Sequence, residues 1–215
     1  MMRRACLLGC VVLAACTGSS EPEPSSELPA SELVLGATIR SNGAVTQIEA
    51  SLFAADNHSI VLAAPDRLLI ALGSLESELV PLEARHVGQV ATTGTDAAVI
   101  LERADGERIT SHVILPPPFV LIPPSDPVDT SQPVIVTWTP DPGGFTTHAR
   151  VDCSESIFGN FDTDPGKISF DVPSTDCDLT VEVTRSLEAD MPKTALAPGG
   201  KSRTEQVRTL VLPFP

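Results

Sequence analysis

The residues best suited to chemistry in this chain are few and widely spaced. The run Ala195-Leu196-Ala197-Pro198-Gly199-Gly200-Lys201-Ser202 fits a phosphate-cradling loop only if Ala is accepted at its first position. Such a loop works by aiming backbone N–H groups from a helix N-terminus that follows a strand. Turn-forming residues precede this run and an alternating apolar stretch follows it, so no nucleotide and no cofactor is expected. Asp162-Thr163-Asp164-Pro165-Gly166 sets two carboxylates two positions apart before a glycine. Calcium takes about six to eight oxygens, and the distal bidentate Glu of a full calcium loop is missing. Asp162 and Asp164 are therefore calcium candidates against the plainer reading of an Asp-rich turn, and no metal is assigned. His58, His86, His112 and His148 stand apart, with no His at metal-ligand spacing from a cysteine. No Gly-x-Ser-x-Gly run exposes a serine nucleophile. The expectation is a protein without catalytic residues.

One cysteine has a more telling setting. Arg3 and Arg4 open the chain, an apolar run spans 5–15, and Leu13-Ala14-Ala15-Cys16 closes it. The run is far shorter than the roughly 20 residues a spanning helix needs. A charged start, a short apolar stretch and small residues before a cut make an export signal. The four residues ending in Cys16 resemble the lipobox of bacterial lipoproteins. Leu7-Leu8-Gly9-Cys10 is a second candidate, but it leaves too short an apolar run after the arginines. The resemblance implies that 1–15 is removed and that Cys16 is diacylated on sulfur. Two or three acyl chains, at about 0.8 kcal/mol per buried CH₂, then hold the protein to a membrane. Thr17 follows the cysteine where an Asp is absent, which resembles an outer-membrane address. Residues 16–31, rich in Ser, Pro and Glu and without apolar periodicity, read as a disordered tether. The expected location is the cell envelope, facing the periplasm or the cell surface.

Charge narrows the partners. The 215 residues carry a formal net charge of −14, and loss of Arg3 and Arg4 leaves 12 basic residues against 28 acidic ones. Such a surface repels phosphates and anionic headgroups, which excludes nucleic acid as a partner. Seven Phe, one Trp and no Tyr leave little flat aromatic surface for sugar faces or protein hot spots. An envelope protein or glycan partner stays open, without a named site.

The rest of the chain must supply the frame. Leu33, Leu35, Ala37 and Ile39 alternate with other residues, and a second alternating run carries Ile48, Ala50 and Leu52. Asn42-Gly43 between them predicts a hairpin in which both turn residues take positive φ. Ile60 and Leu62, then Leu68, Ile70 and Leu72, continue the pattern around Pro65-Asp66. Asp105-Gly106 predicts another hairpin, between 99–103 and 109–115. No helical period appears. Pro116-Pro117-Pro118 interrupts the strands, because proline cannot donate to a central ladder. This places an N-terminal β domain at 32–115 and a second at 116–215.

In the second unit Val134, Val136 and Trp138 share one parity, as do Ile168, Phe170 and Val172, and Leu179, Val181 and Val183. A last strand is expected from Gln206 to Leu212, after a long connection over 186–203 that is a candidate recognition loop. Val134 to Pro140, ending Trp-Thr-Pro, resembles the core-Trp strand of fibronectin type III and related immunoglobulin-like domains. The resemblance implies a β-sandwich, here without that family's corner tyrosine. The fold class expected is all-β, two small sandwiches after a cleaved signal and tether. Cys153 and Cys177 remain as an even pair in an oxidising compartment, both on inward parities, and are expected to form a structural disulfide.

These readings converge on a membrane-anchored envelope lipoprotein serving as a non-catalytic binding or structural module. Its rivals are an envelope hydrolase whose site assembles only in three dimensions, and a calcium-stabilised adhesion-like module.

Overall fold

Alternation becomes architecture here because each strand sends one parity of side chains onto a single shared face. The computed structural model describes residues 23–91, 94–125, 128, 131–141, 143–153, 156–161, 163–172, 178–192 and 194–213. The first strands are β1 (Glu23–Pro24), β2 (Leu33–Ser41), β3 (Thr46–Ala54), β4 (Ile60–Val61) and β5 (Arg67–Leu72). Next come β6 (Leu75–Glu78), β7 (Val80–Leu82), β8 (Arg85–Val90), β9 (Asp96–Glu102) and β10 (Arg108–Ile114). The second half adds β11 (Val134–Thr137), β12 (Thr146–Asp152), β13 (Ser156–Phe161), β14 (Lys167–Phe170), β15 (Leu179–Asp190) and β16 (Lys201–Leu212). Two 3-10 turns, Ser25–Glu27 and Ala30–Glu32, are the only helical elements among the described residues. The fold is all-β, as the alternation predicts.

One sheet of eight strands, ordered β13-β12-β15-β16-β2-β3-β8-β7, carries both halves of the chain. β16 joins them: it runs antiparallel to β15 and parallel to β2, with Ser202 opposite Ala37 and Gln206 opposite Ser41. The four-stranded sheet β10-β9-β5-β6 and the two-stranded sheet β11-β14 cover this large sheet in two places. In the first, Leu35, Ile39, Ala50 and Leu52 meet Leu68, Ile70, Val99 and Leu101. In the second, Val151, Val181 and Val183 meet Trp138, Ile168 and Phe170.

A polar row separates the two cores. Thr147, Arg185, Gln206, Ser41 and Thr46 are successive cross-strand partners, so their side chains project from the same face. All five are buried. Leu33 to Ile39 lie on one side of the row along the common direction of β2 and β16, and Leu210 and Leu212 on the other. The end of β10 and the proline-rich connection after it cross here, presenting backbone carbonyls. Side chains of the large sheet satisfy them: Thr204 Oγ1 donates to the Ile114 carbonyl (2.8 Å), Arg185 Nη1 to Pro117 (3.0 Å) and Arg208 Nε to Phe119 (2.8 Å).

Three expectations change. The tether does not run free to residue 31, because Ser25 is fully buried and residues from Glu23 onward dock on the first sandwich. Ser25 Oγ donates to Asp66 Oδ2 (2.8 Å) and accepts from the Ala63 amide, a pairing that composition alone does not reveal. The Asn42-Gly43 turn is a four-residue loop, not a two-residue one, since Ser41 pairs with Thr46. Only Gly43 takes positive φ, at 95°, while Asn42 Oδ1 accepts from the amides of Ala44 and Val45. Finally, the connection over 186–203 is shorter than expected. β15 continues to Asp190 and β16 starts at Lys201, leaving a loop over 191–200.

Candidate functional site

That loop folds back across the first sandwich. The Met191 amide donates to Gly200 (2.8 Å), and the Ala197 amide donates to Leu33 (2.8 Å). Met191 and Leu196 pack on the first core. Gly200 is required by a close approach: a Cβ there would stand 2.0 Å from the Leu35 carbonyl oxygen. Between loop and sheet lies a cavity of about 400 Å³, lined by Leu35, Met191, Pro192, Leu196 and Pro198 with Ser111, Asp190 and Thr194 as polar contributors. Asp190 is paired with Lys201, and Thr194 Oγ1 accepts from the Leu196 amide. The walls are mostly apolar, and the arrangement suits enclosure of an apolar group. The phosphate-loop run leads into a strand here, with Lys201 committed to Asp190.

Asp164 has a different employment from the calcium role considered for it. Its Oδ1 accepts from Trp138 Nε1 (2.6 Å) and the Gly166 amide (3.1 Å), and its Oδ2 from the Asp141 amide (3.0 Å) and Arg185 Nη2. Burial works against the Asp164 charge, but the Trp138 indole, the two amides and the Arg185 guanidinium outweigh it and hold the carboxyl below its ordinary value. Arg185 also donates to the Thr139 carbonyl (2.9 Å) and lies 4.5 Å from the Phe119 ring centroid. Trp138, Asp164, Arg185 and Phe119 thus form one buried knot that ties the second core to the polar row. The Trp-Thr-Pro run signals the Trp of this knot, whereas nothing in the spacing signals its partnership with Arg185. Asp162 lies outside the described residues.

The histidines do not meet. His58 stands between Asp56 on Nδ1 and Glu23 on Nε2 (3.2 Å), and the Asp56 hydrogen bond raises its pKa. It clasps the first docked residues to the β3–β4 connection. His86, on β8, is buried with Nδ1 lacking a partner among the described residues, and burial lowers its pKa. His112 is exposed, on the parity opposite Ser111 and Val113. Among the described residues no three His, Cys, Asp or Glu side chains gather as a metal site requires. Cys153 is half-buried against the second core, while Cys177 and Cys16 lie outside the described residues.

No known family profile matches this chain, and no curated protein matches it. Among solved structures it is similar to a Salmonella alpha-2-macroglobulin reacted with methylamine, at 12% identity and a TM-score of 0.30. That match covers 88% of this chain and 16% of the macroglobulin, so the chain spans a small part of that protein's length.

Proposed function

We propose that the chain is an envelope lipoprotein, held to a membrane by acyl chains on Cys16, whose β-sandwich body is a non-catalytic binding or structural module. The observation that carries the reading is Leu13-Ala14-Ala15-Cys16 behind two arginines and a short apolar run. The docking of Glu23 and Ser25 sets how far the body could stand from such an anchor. Only six residues, 17–22, separate the acylation site from the body, a reach of roughly 20 Å when fully extended. The body would then ride close to the bilayer instead of drifting on a long leash. No helix among the described residues is long and apolar enough to cross a membrane.

The saturation of Asp164 by N–H donors weighs against the calcium-stabilised alternative, because a cation would meet hydrogens where it needs lone pairs. In the same reading Cys153 and Cys177 form a disulfide closing the β12–β15 end of the second sandwich. Replacing both with Ala is expected to lower stability by roughly 3–4 kcal/mol. Metabolic labelling with a fatty-acid probe, comparing wild type with Cys16→Ala, tests the anchor. Label should vanish in the variant; equal labelling defeats the lipoprotein reading.

A further inference from the structure

β13 is an edge that no described strand guards. Natural sheets blunt their open edges with charge, proline, shortness or a covering segment, since an exposed ladder recruits other strands. Most edges here follow that rule. β7 is three residues long and contains Pro81, β6 carries Glu76 and Glu78, and β10 carries Arg108. β14 carries Lys167, and the open side of β11 is bridged by Ile122 to Thr137. β13, Ser156–Phe161, ends the eight-stranded sheet with no charged residue and no proline in six positions. No described strand pairs with its outer side.

The core beneath is also incompletely covered at this edge. Four strands of the large sheet underlie the second sandwich, whereas among the described residues only two strands, β11 and β14, lie above them, joined by Phe119, Leu121 and Val128. Ile157 and Phe161 share the inner face with Val151 and Thr147. Ile157 is 38% exposed, and Phe161 is only half-buried, its ring lying across Gly159. An incoming strand would find backbone groups that no described strand pairs, with apolar side chains beside them, the two ingredients of strand addition.

We infer that β13 is a docking edge for an extended segment of another protein, apolar on alternate positions and flanked by basic residues. A second copy fits less well. Two strongly acidic bodies repel one another, the full chain carrying −14, and a six-residue strand buries far less than the roughly 1,200 Å² of a stable pair. Basic flanks follow from the same charge. The inference deepens the binding-module reading and rests on it, while being independent of the anchor.

The test places a photo-crosslinking amino acid at Ser156 in the full chain expressed in its own cells, with Leu75 on the charged edge β6 as control. The captured segment is mapped by mass spectrometry, then synthesised and added to purified protein. Support requires that this peptide slow amide exchange across 156–161. It also requires that Ile157→Lys, at an unchanged melting temperature, weaken binding by about tenfold or more. Adducts of the chain with itself, equal capture at Leu75, no capture at all, or protection elsewhere would each overturn the inference. Failure of the anchor would appear instead as unchanged fatty-acid labelling of Cys16→Ala, with strand addition by the purified protein unaffected.

Discussion

Gln206 of β16 lies directly opposite Ser41 of β2, and neither side chain reaches solvent or finds a hydrogen-bond partner among the described residues. Thr147 Oγ1 and Arg185 Nε, in the same row, are likewise unpartnered. Buried polar groups left unpaired cost about 1–3 kcal/mol each, whereas replacing both members with apolar groups removes that cost. Gln206→Leu combined with Ser41→Ala is therefore expected to raise the melting temperature. Thermal unfolding checks this, and a fall would show that internal water already serves the pair.

Asp164 and Arg185 form a different case, a buried pair in which both carboxylate oxygens and both Nη atoms have partners. Removing Asp164 alone strands the guanidinium beneath Phe119. Asp164→Ala is expected to cost about 3–5 kcal/mol, and Arg185→Met a similar amount. The double variant should cost less than the sum of the two, because no orphan charge remains. Denaturant unfolding of the three variants measures the coupling.

Acid and alkali should act on different histidines. Burial lowers the pKa of His86 below 6.5, so the folded state takes up its proton less readily than the unfolded chain. The stability it permits at neutral pH is lost as pH falls through 6.5. His58 has the reverse sign: Asp56 raises its pKa above 6.5, so its contribution is present below that value and fades as pH rises through the higher folded-state value. Melting temperatures across this range should lose acid sensitivity in His86→Leu and lose the alkaline decline in His58→Ala.

Gly200 tests the seat of the 191–200 loop. A methyl group there collides with backbone, not with a side chain that can swing away. Gly200→Ala is expected to destabilise by about 1–3 kcal/mol and to speed amide exchange at Ala197, whose N–H bonds to Leu33.

Much of the frame is legible in period-two patterning. Leu33, Leu35, Ala37 and Ile39, or Leu179, Val181 and Val183, are buried where their parity places them. What resists reading is whatever depends on residues far apart in sequence. Ser25 sits in a stretch whose composition reads as solvated, and only Asp66, 41 positions away, explains its burial. Ser202, Thr204 and Gln206 look like the solvent face of a strand, yet their register with Ala37, Ile39 and Ser41 of β2 puts them on the buried face. The 191–200 cavity is hidden for the same reason: its loop shows up as irregular, but the surface it folds onto belongs to the other half of the chain.

The shared strand also imposes an order in time. β2 is made well before one of its neighbours, which spans Lys201–Leu212. Its ladder cannot be completed until some 160 further residues have emerged, and contacts of such long sequence separation form slowly. A polypeptide wired this way closes its largest sheet late, once two segments distant in the chain have met.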